Sequence, residues 1–239
     1  MAPGQILSSV LNLFFPSRCR LCGEFLEQIT RVPVCAACWS AVVPLPAGGL
    51  CSVCGIPTSG EVCGECLQHP PHFDLARSFG EYRGNLRELI HLLKYQGMTP
   101  LAGPLASRMA EAACTPPWKE CQAVVALPLD PARRRERGYN QAELLARTLA
   151  RHVSLPLIPA CRRVRPTAPQ AGLSRPERHK NVRNAFAADK RTVSGLVILL
   201  VDDVMTTGAT LDSCAAALRD AGASAVFGLT AARTLVTSG

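Results

Sequence analysis

Four C-x-x-C pairs fall within the first 66 residues, at Cys19/Cys22, Cys35/Cys38, Cys51/Cys54 and Cys63/Cys66. A C-x-x-C turn points two thiolates at one centre, and two such turns complete a tetrahedral four-sulfur set. Read in order, the pairs give one unit twice, C-x2-C-G then a spacer then C-x2-C, with twelve and eight residues between the two pairs of each unit, the glycine included. Gly23 and Gly55 can take the positive φ that such a knuckle needs. The spacing predicts two zinc ribbons paired sequentially, Cys19, Cys22, Cys35 and Cys38 in one and Cys51, Cys54, Cys63 and Cys66 in the other. With four thiolates each, the sites would be closed and structural, with no position for catalytic water. A disulfide framework needs an oxidising compartment, and no targeting segment points to one. A redox C-x-x-C more typically stands alone beside a βαβ unit, and repeated pairwise spacing favours zinc over an iron–sulfur cluster. Cys114, Cys121, Cys161 and Cys214 are isolated and read as small buried residues.

The rest of the chain changes character. His69-Pro70-Pro71-His72 reads as a stiff linker, dividing residues 1–70 from a second unit at 74–239. The apolar stretch QILSSVLNLFF near the N-terminus has no Lys or Arg before it, so it reads as a short amphipathic helix rather than a secretory signal. No apolar run approaches the ~20 residues of a membrane span, which leads to the expectation of a cytoplasmic protein with no membrane insertion. Charge is uneven. Residues 133–191 carry 15 basic and 4 acidic groups, against 9 and 10 in residues 1–132 and 2 and 4 in residues 192–239. A dense basic block suits a surface that receives phosphates, from a small molecule or a nucleic acid.

Beyond Asp74 the periodicity alternates between strand and helix. Leu86, Leu89, Ile90 and Leu93 lie at helical spacing after Asn85 as a candidate cap, and Gly97 and Pro100 end the helix. A second helix covers Leu101 to Ala113. A strand at Ala123–Leu127 leads into a loop holding the arginine cluster, and Asn140 with Glu143 forms a capping box for the next helix. Leu155–Arg162 reads as a short strand, residues 163–190 as a long basic loop, and Val197–Val201 as a buried parallel strand. The helix after it has its stripe at Leu211, Cys214, Ala215, Leu218 and Ala221, with Gly222 as its cap, and Ser224–Thr230 is the last strand. This alternation predicts an α/β domain, a parallel sheet with helices on both faces, which binds ligands at the carboxyl ends of its strands.

That rule puts Asp202 and Asp203 at the rim. Adjacent carboxylates repel, and ligand hydroxyls that donate to them, with Mg2+ nearby, relieve the repulsion. Thr206, Thr207, Gly208, Ala209 and Thr210 then open a helix with almost no side-chain bulk, so backbone N–H groups can close on a phosphate. Recognition of a diol beside a phosphate defines a ribose 5-phosphate site.

V-D-D-V-M-T-T-G-A-T (Val201–Thr210) resembles the phosphoribosyl pyrophosphate signature of type I phosphoribosyltransferases. The resemblance extends to the competence protein F (ComF) family, which joins a zinc-ribbon region to such a domain. It is carried by the C-x-x-C pairs, Leu93-Lys94-Tyr95, Pro128-Leu129 and R-G-Y-N-Q at Arg137–Gln141. Arg165, Thr167 and Gln170, then Arg178, Asn181 and Ala185-Phe186, complete it. The resemblance implies that Asp202 and Asp203 bind ribose hydroxyls and Thr206–Thr210 the 5-phosphate. Pro128, Leu129 and Arg137 would face pyrophosphate, and residues 164–186 would occupy the place of the flexible loop over the reacting centre. It further implies a role in DNA uptake and transformation, with single-stranded DNA and a helicase as partners. No feature identifies an acceptor, so a transferase and a non-catalytic DNA-binding factor both remain open.

Overall fold

The structure, a computed structural model, describes residues 17–26, 30–112, 118–166 and 175–235. The predicted N-terminal helix and Cys114 lie outside them. Each ribbon is a knuckle followed by a short helix. Gly23 N–H donates to Cys19 O and Gly55 N–H to Cys51 O, both at 2.9 Å, with φ of +78° and +70° at the two glycines. Helix α1 (Ala36–Ser40) starts at Cys35 and α2 (Gly64–Gln68) at Cys63.

The core is a four-stranded sheet of β1 (Leu75–Glu81), β2 (Ala123–Ala126), β5 (Val197–Met205) and β6 (Ala225–Arg233), ordered β1-β6-β5-β2. All three pairings are parallel. Because side chains alternate along a strand, β5 feeds two cores. Leu199 and Val201 pack with Leu86, Leu89 and Leu93 of α3 (Gly84–Tyr95), Leu105 of α4 (Ala102–Ala112), and Leu145 and Leu149 of α6 (Gln141–His152). Ile198 and Leu200 pack on the other face with Leu211, Cys214 and Leu218 of α9 (Ala209–Asp220). The α/β class with helices on both faces is therefore as the periodicity predicts. Side chains such as Leu86 and Leu145, with no exposed surface, each contribute about 2 kcal/mol by burial.

Several local expectations are corrected. Strand β5 does not stop at Val201 but continues through both aspartates to Met205, because β6 accompanies it and pairs Asp202 with Thr230 and Met205 with Arg233. The arginine cluster is helix α5 (Pro131–Arg137), capped by Asp130, whose carboxylate accepts from Ala132 N–H at 2.9 Å, and closed by Gly138 at φ +79°. Asn85 is not a cap; it lies inside α3, where its Nδ2 donates to Cys38 O at 2.8 Å and ties the helix to the first ribbon. Asn140 does cap α6, but Glu143 pairs with Arg134 at 3.1 Å and Arg147 at 3.0 Å. Of the strand expected over Leu155–Arg162, one parallel bridge from Leu157 to Val124 joins the main sheet. Its end becomes β3 (Cys161–Arg163), antiparallel to β4 (Phe186–Ala188). The segment read as one long loop thus contains α7 (Arg175–Val182) and β4, and α8 (Lys190–Val193) follows.

The ribbons lie against the edge of the sheet. Leu45 N–H donates to Phe79 O at 2.9 Å, Glu81 N–H to Val43 O at 3.2 Å and Ala76 N–H to Val53 O at 2.7 Å, so residues 43–53 cover the open side of β1. The His-Pro-Pro-His stretch is pinned too, since His72 N–H donates to the Asp212 carboxylate at 2.6 Å. Among the described residues, no helix is long and apolar enough to cross a membrane.

Candidate functional site

A cavity of about 250 Å³ opens at the carboxyl ends of β2 and β5. Three sets of residues converge on it. Strand β5 supplies Asp202 and Asp203; the turn into α9 supplies Thr206, Gly208, Ala209 and Thr210; the chain after β2 supplies Pro128, Leu129, Arg133 and Arg137. Gly208 is the residue before the helix and sits at φ +85°, a left-handed torsion that glycine adopts without strain. The residues that follow, Ala209 and Thr210, are small, so the backbone at the start of α9 is not screened by bulky side chains. On the opposite wall, Asn140 Nδ2 donates to Leu127 O at 3.0 Å and its Oδ1 accepts from Ala142 N–H at 3.1 Å, fixing the start of α6.

The electrostatics are set by burial. Burial, and then the neighbouring Asp203 carboxylate, push Asp202 up to about 8, against the pull of Lys94, the Asp203 N–H and Arg163. That N–H donates to Asp202 Oδ1 at 2.8 Å. Lys94 Nζ lies 2.8 Å from Asp203 Oδ1. Burial disfavours the Lys94 ammonium, but the Asp203 carboxylate outweighs it and the Lys94 pKa is raised. Burial lowers Arg163, partly offset by Asp130 at 4.0 Å. Arg137 lies over the Tyr95 ring, 4.8 Å from its centroid, which holds one cation at the mouth.

Not every residue singled out from the sequence is in this cavity. Thr207 faces away, lining a smaller pocket towards the second cysteine cluster, and its Oγ1 accepts from Ala209 N–H at 3.3 Å. Arg165 donates to the carbonyls of Asn181 and Arg183 at 3.0 and 2.7 Å, so both Arg165 and Asn181 hold their own segment together. Arg178 falls in α7, and Thr167 and Gln170 lie outside the described residues. Tyr82, Lys94, Arg163, Gln141 and Thr230 line the cavity without having been singled out as site residues. Thr230 carried a usable signal, a hydroxyl in the otherwise apolar strand AVFGLTAAR. Lys94 and Gln141 stand in the L-K-Y and R-G-Y-N-Q motifs that carry the family resemblance, but nothing in the sequence gives either a role in the site.

The cysteines gather as the spacing predicts, in two groups of four whose sulfurs lie within 4.8 Å of one another. Measured separations are 3.8 Å for Cys19–Cys38, 3.7 Å for Cys22–Cys35 and 3.7 Å for Cys54–Cys63. Zinc–sulfur bonds of about 2.3 Å in a tetrahedron give sulfur–sulfur edges of about 3.8 Å, so both groups fit a structural zinc ion. Backbone N–H groups of Cys35 and Cys63 point at Cys19 Sγ and Cys51 Sγ, at 3.4 and 3.3 Å, as partners for thiolates.

Sequence comparison with known proteins agrees with this organisation. A family described as a double zinc ribbon domain matches residues 10–67. Competence protein F of Haemophilus influenzae is 34% identical over 87% of this chain and 93% of its own length. DNA utilization protein YhgH of Salmonella typhimurium is 34% identical over 93% of this chain and 100% of its own. Among solved structures, glutamine phosphoribosylpyrophosphate amidotransferase from B. subtilis aligns at 19% identity and a TM-score of 0.39, over 56% of this chain and 26% of that enzyme. With identity of this order sustained along nearly the full length of both relatives, the chain belongs to the family of competence protein F and DNA utilization protein YhgH.

Proposed function

We propose that the cavity binds phosphoribosyl pyrophosphate together with Mg2+. The observation that carries this reading is the placement of Asp202 and Asp203 beside the Gly208-led start of α9, with Arg133 and Arg137 across the same cavity. In it, the carboxylates accept hydrogen bonds from the ribose hydroxyls, the α9 N-terminus takes the 5-phosphate, and the arginine wall takes pyrophosphate. The two carboxyl groups and the ligand's own oxygens form the hard donor set that Mg2+ prefers, and a bound cation beside Asp202 would favour its ionised form. Transfer to an acceptor would build positive charge on the sugar and negative charge on the leaving pyrophosphate. Carboxylates near the ring and guanidiniums opposite are placed to stabilise that separation. Calorimetric titration with phosphoribosyl pyrophosphate and Mg2+ tests the reading. Binding is expected in the wild type and lost in Asp202→Asn, and a wild type that takes up no ligand overturns it.

A second reading, single-stranded DNA binding, draws on a groove that runs on from the cavity at Pro128 and Asn140 and is lined by Arg134, Arg147 and Arg151, with Glu143 between the first two. Guanidiniums along a groove suit sequence-independent backbone contacts, whose affinity falls steeply with salt. The names of the relatives, a competence protein and a DNA utilization protein, accord with it. Titration of a labelled oligonucleotide across a salt series decides this reading, and an affinity indifferent to salt removes it.

A further inference from the structure

We infer that the second cysteine cluster is part of the scaffold of the loop that starts α9, and that Arg233 is the positioning residue joining the two. A divalent ion held by four thiolates leaves a negative charge excess, here with Cys51, Cys54 and Cys66 buried. Burying such a centre requires positive charge beside it. Arg233, at the end of β6 and 3% exposed, provides it. Its Nη2 lies 3.6 Å from Cys54 Sγ, and its Nη1 donates to Cys54 O at 2.5 Å. Its Nε has no hydrogen-bond partner among the described residues. The thiolate charges, rather than a full set of hydrogen bonds, therefore offset the burial of this guanidinium.

The same guanidinium reaches the loop. Nη1 lies 3.0 Å from Met205 Sδ, and Met205 is its partner in the β5–β6 register. Thr234 N–H donates to Met205 O at 3.0 Å, locking the two strand ends together. Met205 Cε in turn comes within 2.7 Å of the point where a Cβ on Gly208 would stand, so the thioether packs directly beneath the residue that opens α9. On its other side, the Arg233 carbonyl accepts from Tyr82 N–H at 2.7 Å, and Tyr82 lines the ligand cavity. One buried residue therefore spans cluster, loop and cavity wall, its guanidinium on the first two and its backbone carbonyl on the third. The first cluster is built otherwise: Cys22 is exposed, and the hydrogen bond from Asn85 to Cys38 O ties that cluster to α3.

Coupling between cluster and loop stands on these contacts alone; its consequence for ligand binding rests on the proposed function. The test compares wild type, Arg233→Met and Arg233→Lys, all purified with zinc. Chelator-driven zinc release is followed with cysteine alkylation mapping, to assign each ion to its cluster. Hydrogen–deuterium exchange is read over residues 205–212, and phosphoribosyl pyrophosphate with Mg2+ is titrated by calorimetry. In Arg233→Met the ion held by Cys51, Cys54, Cys63 and Cys66 should leave at least about ten-fold faster. Exchange over 205–212 should rise and the ligand should bind more weakly, with Arg233→Lys in between. Release at the wild-type rate, or fast release with unchanged exchange over 205–212, overturns the inference. If Arg233→Met does not fold, wild type stripped stepwise with limiting chelator gives the same reading. Exchange over 205–212 must then rise when the second cluster loses its ion, and unchanged exchange overturns the inference. A wild type that binds no ligand removes the ligand reading, while exchange still decides the coupling.

Discussion

Lys94 Nζ and Asp203 Oδ1 lie 2.8 Å apart, and their pairing joins the last turn of α3 to the carboxyl end of β5. Both side chains are largely covered, so each charge depends on the other. Lys94→Met would leave the Asp203 carboxylate uncompensated, at a cost of about 3 kcal/mol. Urea denaturation should register that loss, and the double variant Lys94→Met/Asp203→Asn should recover much of it. A Lys94→Met protein as stable as wild type would show that Asp203 has other compensation.

Asp202 gives the molecule a pH dependence of definite sign. Its folded-state pKa is raised to about 8 from 3.8, chiefly by burial, so the folded protein keeps a proton that the unfolded chain has released between those values. Stability from this group is fully present below the unfolded pKa and is lost as pH rises through about 8. Asp202→Asn lacks this loss. Its stability relative to wild type should therefore increase between pH 6 and pH 9 in urea denaturation, and a constant difference would mean that Asp202 is already ionised at pH 6.

The two clusters should not be equally sensitive. Cys51 is fully buried and packs with Phe73 and Ala76, whereas Cys22 is exposed. Cys51→Ser should lower the melting midpoint by roughly 6–10 °C, corresponding to about 3 kcal/mol for a domain of this size. Cys22→Ser should lower it less. Calorimetric melting with zinc content measured on the same samples checks both.

Gly208→Ala introduces a Cβ at φ +85° and 2.7 Å from Met205 Cε. The methionine tip can swing aside, so backbone strain dominates, at about 1 kcal/mol. Denaturation should show that modest loss. Titration with phosphoribosyl pyrophosphate should show a larger effect, because the turn that presents the α9 N–H groups is what changes.

Cys161 and Cys214 have sulfurs 3.3 Å apart, and hydrogen bonding from Cys214 lowers the pKa of Cys161. Cys214→Ala removes that donor. Alkylation of Cys161 by iodoacetamide near neutral pH, followed by mass spectrometry, should slow several-fold. An unchanged rate would show that burial alone sets its reactivity.

What could be read from the sequence was what is determined within a few residues. The C-x-x-C pairs with Gly23 and Gly55, and the run from Val197 through Gly208 into a periodic helix, each contain their own geometry. Long-range pairing was not legible. β5 reads as ending where charge begins at Asp202, and only its partner β6 carries it to Met205. Arg163 reaches the cavity from a distant element, and nothing local distinguishes it from a solvent-facing cation. Lys94 stands in the Leu93-Lys94-Tyr95 motif, but its pairing with Asp203 is long-range. Helix α5 has its own local signals, Asp130-Pro131 opening it and Gly138 closing it, but the density of arginine between them suggests a loop.

The antiparallel pair β3 and β4 has an evolutionary consequence. Arg163 stands opposite Phe186, and Val164 N–H donates to Ala185 O at 2.9 Å, so the chain between them leaves and returns at one point. Closure of such a segment depends only logarithmically on its length, and doubling it costs about 0.6 kcal/mol. Length changes between β3 and β4 that spare α7, whose last carbonyl accepts from Ser213 Oγ of α9, can therefore occur among relatives while the register of the main sheet is left as it is.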